Sequence, residues 1–186
     1  MARPSRIEGF AIVSDDGMLA GADRVMPDTL KFDADQRYFA EGLDRCEAVI
    51  HGRHSHEQQP HSPRRHRITV TNRVAAIAPD PENAKGILWN PSGAPFEKAW
   101  DVLGIGAASL GVVGATFVFG MFLDSYDAFH LSHAPGVRLP GGVPVFPGVP
   151  QQTPQQVMAR HGLSPGPTQV LDAAHKITVT VWRRGK

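Results

Sequence analysis

Between positions 102 and 123 the chain reads VLGIGAASLGVVGATFVFGMFL, twenty-two residues without a charge, and any fold has to keep that run away from water. Its length meets the requirement for a membrane-spanning helix. Five glycines inside the run weaken it as a helix, Asp101 and Asp124 close its two ends, and no Lys or Arg stands close by to set an orientation. An interior strand of a parallel sheet, covered on both faces, gives the same unbroken apolar reading without those conflicts. The run is therefore expected to divide into a helix end, a buried strand over 110–113, a turn at Gly114 and a second helix over 116–123. No membrane partner is expected.

Strand and helix alternate along most of the remaining chain. Residues 7–14 form an expected first strand closed by the Asp15-Asp16-Gly17 turn, and 18–30 a loop with Gly21 and Pro27. Asp33 is a plausible N-cap for a helix whose apolar face is Tyr38, Phe39, Leu43 and Cys46, running into a strand at Ala48. After a polar loop over 58–67, strands are expected at 67–71 (RITVT) and 86–89, a helix at 96–103 and a strand at 128–132. Eight of the sixteen prolines fall within 135–167, so that region is expected to be loop-rich rather than helical. At the end, VLD and ITVTV suggest a hairpin turning over 173–176. The fold class is therefore α/β: a three-layer arrangement with a mostly parallel central sheet, antiparallel C-terminal strands and helices on both faces. The 186 residues suit one domain spanning 1–186, a size at which about 70% of the unfolded chain's surface leaves water.

Nineteen Lys plus Arg against eighteen Asp plus Glu give a net charge of +1, so no basic field points to nucleic acid and any anion site must be local. The single cysteine, Cys46, rules out an internal disulfide framework and fits a buried thiol in a reducing compartment. The first residues carry no long apolar stretch before charges return, so the cytoplasm is the expected location. The expected assembly is a monomer or a dimer.

The stretch AVIHGRHSHE over 48–57 carries the chemistry. It reads as a short buried strand ending in Gly52 and Arg53, followed by His54 and Ser55. If the polar segment opens a helix, backbone N–H groups, a hydroxyl and a guanidinium converge as a phosphate requires; otherwise Arg53 is a solvated surface charge. His51, His54, His56, His61 and His66 raise the question of zinc, but no cysteine supports them and their spacing matches no familiar site, so no metal is expected.

These blocks, in this order, resemble dihydrofolate reductase. VIHGRHSHE is similar to that family's strand and cofactor turn, V-I-M-G-R-x-T-W-E. SDDGMLAG resembles the D-x-N-G-x-I-G opening of its mobile loop, and Met26-Pro27 its M/L-P step. ADQRYF over 34–39 is similar to the helix carrying the active-site carboxylate, and VGATFVFGMFL to the I-G-G-x-x-[IV]-[YF]-x-x-[FL]-[LM] block. AFHLSH resembles L-Y-L-T-x-I, and GVPVFP resembles G-D-T-x-F-P. The resemblance runs over 9–184.

It implies an NADPH-dependent reductase of dihydrofolate or a close dihydropterin, in which hydride passes from the nicotinamide to a ring carbon and a proton reaches the adjacent nitrogen. Asp35 takes the role of the carboxylate that grips the amino-pyrimidine edge, with Ser132 where the family has a Thr bonded to it. Read without the resemblance, Asp33 and Asp35 are cap and dipole partners of a helix start. Ile12, Met26, Phe39 and Val113 would line the pterin, and Arg65 would bind a substrate carboxylate, with Arg64 and Arg67 competing. Arg53, His54, Ser55, Thr71, Asn72 and Arg73 would meet cofactor phosphates. Ala20, Gly52, Gly114, Ala115, Thr116, Phe117 and Phe119 would complete the cofactor site. The chain departs from the pattern where Gly114-Ala115 replaces Gly-Gly, Asp28 a Trp, Gln36 an apolar residue and Phe117 an Arg. Gln36 and Asp28 suggest a ligand that differs from folate at its pterin-distal end. Reduction of another heterocycle, such as a modified pterin or a pyrimidine intermediate of riboflavin synthesis, is the alternative, as is ligand binding without turnover.

Overall fold

The computed structural model describes residues 2–55 and 58–186. Strand β1 (Arg6–Val13) leads through β2 (Met18–Ala20) and a 3-10 turn at Asp28–Leu30 to helix α1 (Asp33–Leu43). Strands β3 (Ala48–Gly52), β4 (His66–Val70), β5 (Ile77–Pro79) and β6 (Gly86–Trp89) follow, then α2 (Phe96–Leu103), β7 (Ser109–Val112), α3 (Thr116–Met121) and β8 (Ala128–His133). The chain ends with β9 (Val143–Pro144), α4 (Pro154–Arg160), β10 (Leu163–Asp172) and β11 (Ile177–Arg184).

Nine strands form one sheet in the order β10-β11-β8-β1-β7-β3-β4-β6-β5, and β2 pairs with β9 in a second sheet. The strands from β8 to β6 are parallel, whereas β11 and β10 are antiparallel at one edge. β5 adds an antiparallel strand at the other edge. The uncharged run divides as expected: it begins at the end of α2, supplies β7, whose residues are all buried, and ends just beyond α3. Among the described residues no helix is long and apolar enough to cross a membrane.

Phe10 and Ile12 of β1 join apolar clusters on the face covered by α1. Val13 joins the larger core on the opposite face, with Trp100, Val118, Phe119, Val157 and Met158 from α2, α3 and α4. The β1-α1-β3 and β7-α3-β8 connections thus lie on opposite faces. In open parallel sheets with connections divided in this way, the ligand crevice lies outside the carboxyl ends of the central strands.

Three expectations change. Asp33 is not the N-cap of α1; that residue is Phe32, extended at φ −129° and ψ 131° with no side-chain cap, because its ring is packed with Ile12, Leu30 and Ile177. Asp33 and Asp35 both fall in the first turn instead. The proline-rich region is not all loop. Thr153 accepts from Gln156 N–H at 3.1 Å while Gln156 Oε1 accepts from Thr153 N–H at 2.9 Å, a reciprocal cap that starts α4 with Pro154 at its first position. β10 tolerates Pro165 and Pro167 because it is an edge strand with a bulge between Pro165 and Thr168. Within 18–30, finally, β2 is not free loop but is fastened to β9.

Candidate active site at the carboxyl ends of the strands

Position 35 on the first turn of α1 faces β8. Asp35 is only 6% exposed and Ser132 only 3%, and the Ser132 side chain is the polar neighbour of the Asp35 carboxyl. Burial pushes the carboxyl up from its ordinary value, and the neighbouring Ser132 hydroxyl offsets only part of that. Phe32 and Phe39 stand three residues before and four after Asp35, so both share its helix face. Phe32 brings in a cluster with Ile12, Leu30 and the half-buried Met26. Phe39 brings in one with Phe10, Leu43 and the half-buried Val113, just past the end of β7. A lone carboxyl is therefore held between two apolar groups at the level where Ile12 pairs with Ser132.

Two neighbouring strand ends make the second half of the site. Gly52 N–H donates to Gly114 O at 3.3 Å, Arg53 N–H to Val70 O at 3.1 Å, and Ser55 N–H to Gly52 O at 3.0 Å. A Cβ on Gly52 would come within 2.7 Å of the Ala115 Cβ, and one on Gly114 within 2.7 Å of the Ser55 Cβ. The two turns are thus pressed together and only glycine fits between them. Arg53 is half-buried as a residue, and its Nη2 lies 2.9 Å from His54 Nε2 in an exposed contact. At the end of the adjacent β4, Thr71 is buried and its Oγ1 accepts from Arg73 N–H at 3.2 Å, while Asn72 and Arg73 are exposed. His54 to Ser55 does not open a helix among the described residues but continues a turn. A phosphate there would meet turn amides, the Ser55 hydroxyl and guanidinium groups rather than a helix end. His56 and Glu57 lie outside the described residues.

Ala115 carries backbone strain. Its φ is 72° and its ψ 134°, a conformation that costs a residue with a Cβ about 1–3 kcal/mol. Ala115→Gly is expected to raise unfolding stability by about 1 kcal/mol, after allowing for the greater freedom of glycine in the unfolded chain. Chemical denaturation would read this directly; an unchanged or lower midpoint would show that the surroundings favour the methyl group.

Not every residue named from sequence reaches this crevice. Phe119 does not: it is buried in the core, edge-on to Phe129 at 5.4 Å. Residues 117 and 119 lie about 200° apart on a helix, so only one of the pair can face outward, and Phe117 is the one 58% exposed. The Thr116 hydroxyl donates to Pro144 O, tying α3 to β9, and Ala20 is buried in β2. Arg65 sits at the amino end of β4, 3% exposed, donating from Nε to Leu43 O at 3.1 Å and from Nη2 to Asp44 Oδ1 at 2.7 Å. Its guanidinium seals the C-terminus of α1 instead of facing the crevice. Arg67 is also buried, donating to Ser62 Oγ at 2.7 Å. Gln59 Nε2 donates to Gln36 Oε1 at 3.1 Å, bridging the 58–64 segment to α1. His51 is a buried strand residue and His61 pairs with Asp44. No group of three or more metal-ligating side chains occurs among the described residues. Two cavities, of about 940 and 700 Å³, do not include Asp35: one lies at the amino ends of β3, β4 and β7, the other beside the carboxyl ends of β1 and β8 on the sheet face away from α1.

Sequence reasoning missed a polar chain one rung below Asp35. Glu8, His130 and Tyr38 connect β1, β8 and α1. The available signal was a charged Glu8 and an imidazole His130 on the inward-facing positions of apolar strands.

No model of a known protein family matches this chain, and no curated protein does. Solved structures do. Dihydrofolate reductase from Enterococcus faecalis, solved with NADP(H) and RAB-propyl, superposes with a TM-score of 0.62 at 11% identity, covering 100% of both chains. This chain has the dihydrofolate reductase fold. The same fold relates it to a Shewanella sp. PV-4 protein provisionally named for riboflavin biosynthesis, at a TM-score of 0.68 and 20% identity over 100% of both chains. A pyrimidine reductase-like protein from Corynebacterium diphtheriae matches at a TM-score of 0.68 and 13% identity, covering 97% of this chain and 92% of that one.

Proposed function

We propose that the protein is a nicotinamide-dependent reductase, with NADPH the preferred donor, of a small planar heterocycle bearing an amino-pyrimidine edge: a dihydropterin or a related pyrimidine. The observation that carries this reading is the Asp35 carboxyl, buried beside the buried Ser132 and raised in pKa at the carboxyl ends of a parallel sheet. The turns after β3 and β7 support it: Gly52 and Gly114 let them pack together at the same end of the sheet as Asp35.

The bound nicotinamide would supply hydride. The chain's own residues grip, orient and keep water away. A carboxylate in an apolar pocket pairs with two N–H donors of an amino-pyrimidine and favours the protonated, more electrophilic ring. Ser132 fixes the carboxyl's orientation, while Ile12, Phe39 and Val113 offer flat apolar contact and exclude solvent. Arg53, Ser55, Asn72 and Arg73 would hold phosphates at the ends of β3 and β4.

The burial of Arg65 against Asp44 favours a substrate without an anionic tail over dihydrofolate. Tailless dihydropterins or aminopyrimidines are therefore expected to be reduced at least as well as dihydrofolate when NADPH absorbance is followed across a substrate panel. Arg65→Ala should leave KM for every substrate nearly unchanged and lower unfolding stability by about 2 kcal/mol, the range of a charged hydrogen bond. A large rise in KM for dihydrofolate alone would restore Arg65 as its partner. No oxidation of NADPH with any member of the panel would remove the reductase reading. The names of the Shewanella and Corynebacterium structures favour a riboflavin-pathway pyrimidine as the second reading.

A further inference from the structure

His130 is clamped on three sides. Its ring stacks on Phe10 with centroids 4.5 Å apart and planes 11° from parallel. Nε2 lies 3.1 Å from Glu8 Oε2, and Nδ1 lies 2.6 Å from the Tyr38 hydroxyl. Glu8 and His130 are 8% and 6% exposed. Burial works against the Glu8 charge, but the His130 contact and the nearby Arg6 outweigh it and hold the carboxyl below its ordinary range. With Glu8 ionised, Nε2 must carry a proton, and a neutral ring then leaves Nδ1 to accept from the Tyr38 hydroxyl.

Such a buried polar chain is costly unless fully satisfied, and apolar residues would fill the space more cheaply. Its placement gives it a role. His130 and Ser132 are two apart on β8 and so share a face; Asp35 and Tyr38 are three apart on α1 and share a helix face. The pairs form consecutive rungs between the same strand and the same helix. No side chain caps the N-terminus of α1, and Tyr38 joins the helix to β8 through its hydrogen bond to His130. Gly42 lets the helix press onto Phe10, whose ring carbon would lie 2.4 Å from a Cβ at that position. The same Phe10 holds His130.

We propose that Glu8, His130 and Tyr38 are positioning residues that set the height and rotation of α1 over β8 and so hold the buried Asp35 carboxyl beside Ser132. This rests on Asp35 being the substrate-gripping carboxylate. The three groups act through Asp35 and touch no substrate. Among the described residues the charged and titratable groups around the chain are Arg6, Arg45, Cys46, Arg183 and Asp35 itself.

The test is a double-mutant cycle. Tyr38→Phe keeps the ring and removes one hydroxyl; it should lower kcat about tenfold with less than a twofold change in KM for the nicotinamide cofactor. In an Asp35→Asn background the same change should cost less than twofold. Glu8→Gln keeps an acceptor for the His130 N–H and should recover most of the activity lost in Glu8→Leu. Equal effects of Tyr38→Phe in both backgrounds would overturn the proposal. A second measurement needs no turnover: the ¹³C carboxyl resonance of Asp35 at fixed pH should move toward that of a solvated side chain in Tyr38→Phe. If the wild type reduces nothing but this resonance moves, the reductase reading fails and the positioning role stands. If the resonance is unmoved, the positioning role fails whatever the wild type reduces.

Discussion

Asp35→Asn is expected to lower turnover by about 100-fold or more, within the range for losing a positioned acid–base group, while making the protein more stable at neutral pH. The two effects share one cause. Burial raises the folded carboxyl above its ordinary value of 3.8, so the native state holds that proton more tightly than the unfolded chain does. This favours folding fully below 3.8, and the advantage is lost as pH rises through the folded pKa. At neutral pH wild-type protein therefore keeps a buried charge opposed by its surroundings, whereas an amide has nearly the same shape and no charge. It can still accept from Ser132, but it presents donors where an amino-pyrimidine also presents donors. Thermal melts from pH 3 to 8 should show Asp35→Asn above wild type at the upper end, with the gap closing toward the acid end. The turnover deficit should also shrink in acid, where substrate is protonated without help. A variant that matches wild-type turnover across that range would reduce Asp35 to a helix-start residue.

The sheet was legible because strand and helix periods leave different marks. The apolar run had to supply β7, and the alternation in ITVTV had to make a strand with one covered face. Helix α4 was not legible by the same route. Its signal is the Thr153-Pro154 step with Gln156 three residues on, and the surrounding prolines read as loop because each breaks structure everywhere except at a helix's first position or a sheet edge. Asp35 could be named, but only the surrounding similarity distinguished it from Asp33; three-dimensional burial then separated the two, since Asp33 is exposed and Asp35 is not. Arg65 and Phe119 show the limit in the other direction. Their positions along the chain suit a ligand site, yet side-chain direction is settled by which end of a strand or which side of a short helix they occupy. The Glu8-His130-Tyr38 chain was hidden for a third reason: its members are far apart in sequence, Glu8 and His130 being separated by 122 positions, and each alone looks like a misplaced polar residue.

Arg53→Ala should weaken NADPH binding by about 1.5–3 kcal/mol, the range for a hydrogen bond to a charged group, and NADH binding much less. Arg53 is half-buried just past the end of β3, and its backbone N–H is bonded to Val70 O of β4 at 3.1 Å. Among the described residues it meets the His54 ring and no carboxylate. A charge so placed is fixed in position without being neutralised, which suits a phosphate with negative oxygens to spare. Asn72 and Arg73 follow on the adjacent strand, so the difference between the two dinucleotides should be read where β3 and β4 end. Because Arg53 donates its backbone N–H whatever its side chain, the alanine variant keeps the turn, and its melting temperature should stay close to wild type. Calorimetric titration with both cofactors separates the outcomes. A loss confined to NADPH places the extra phosphate against Arg53. Equal losses for both would move its contact to the shared pyrophosphate, and no loss for either would leave Arg53 a solvated charge.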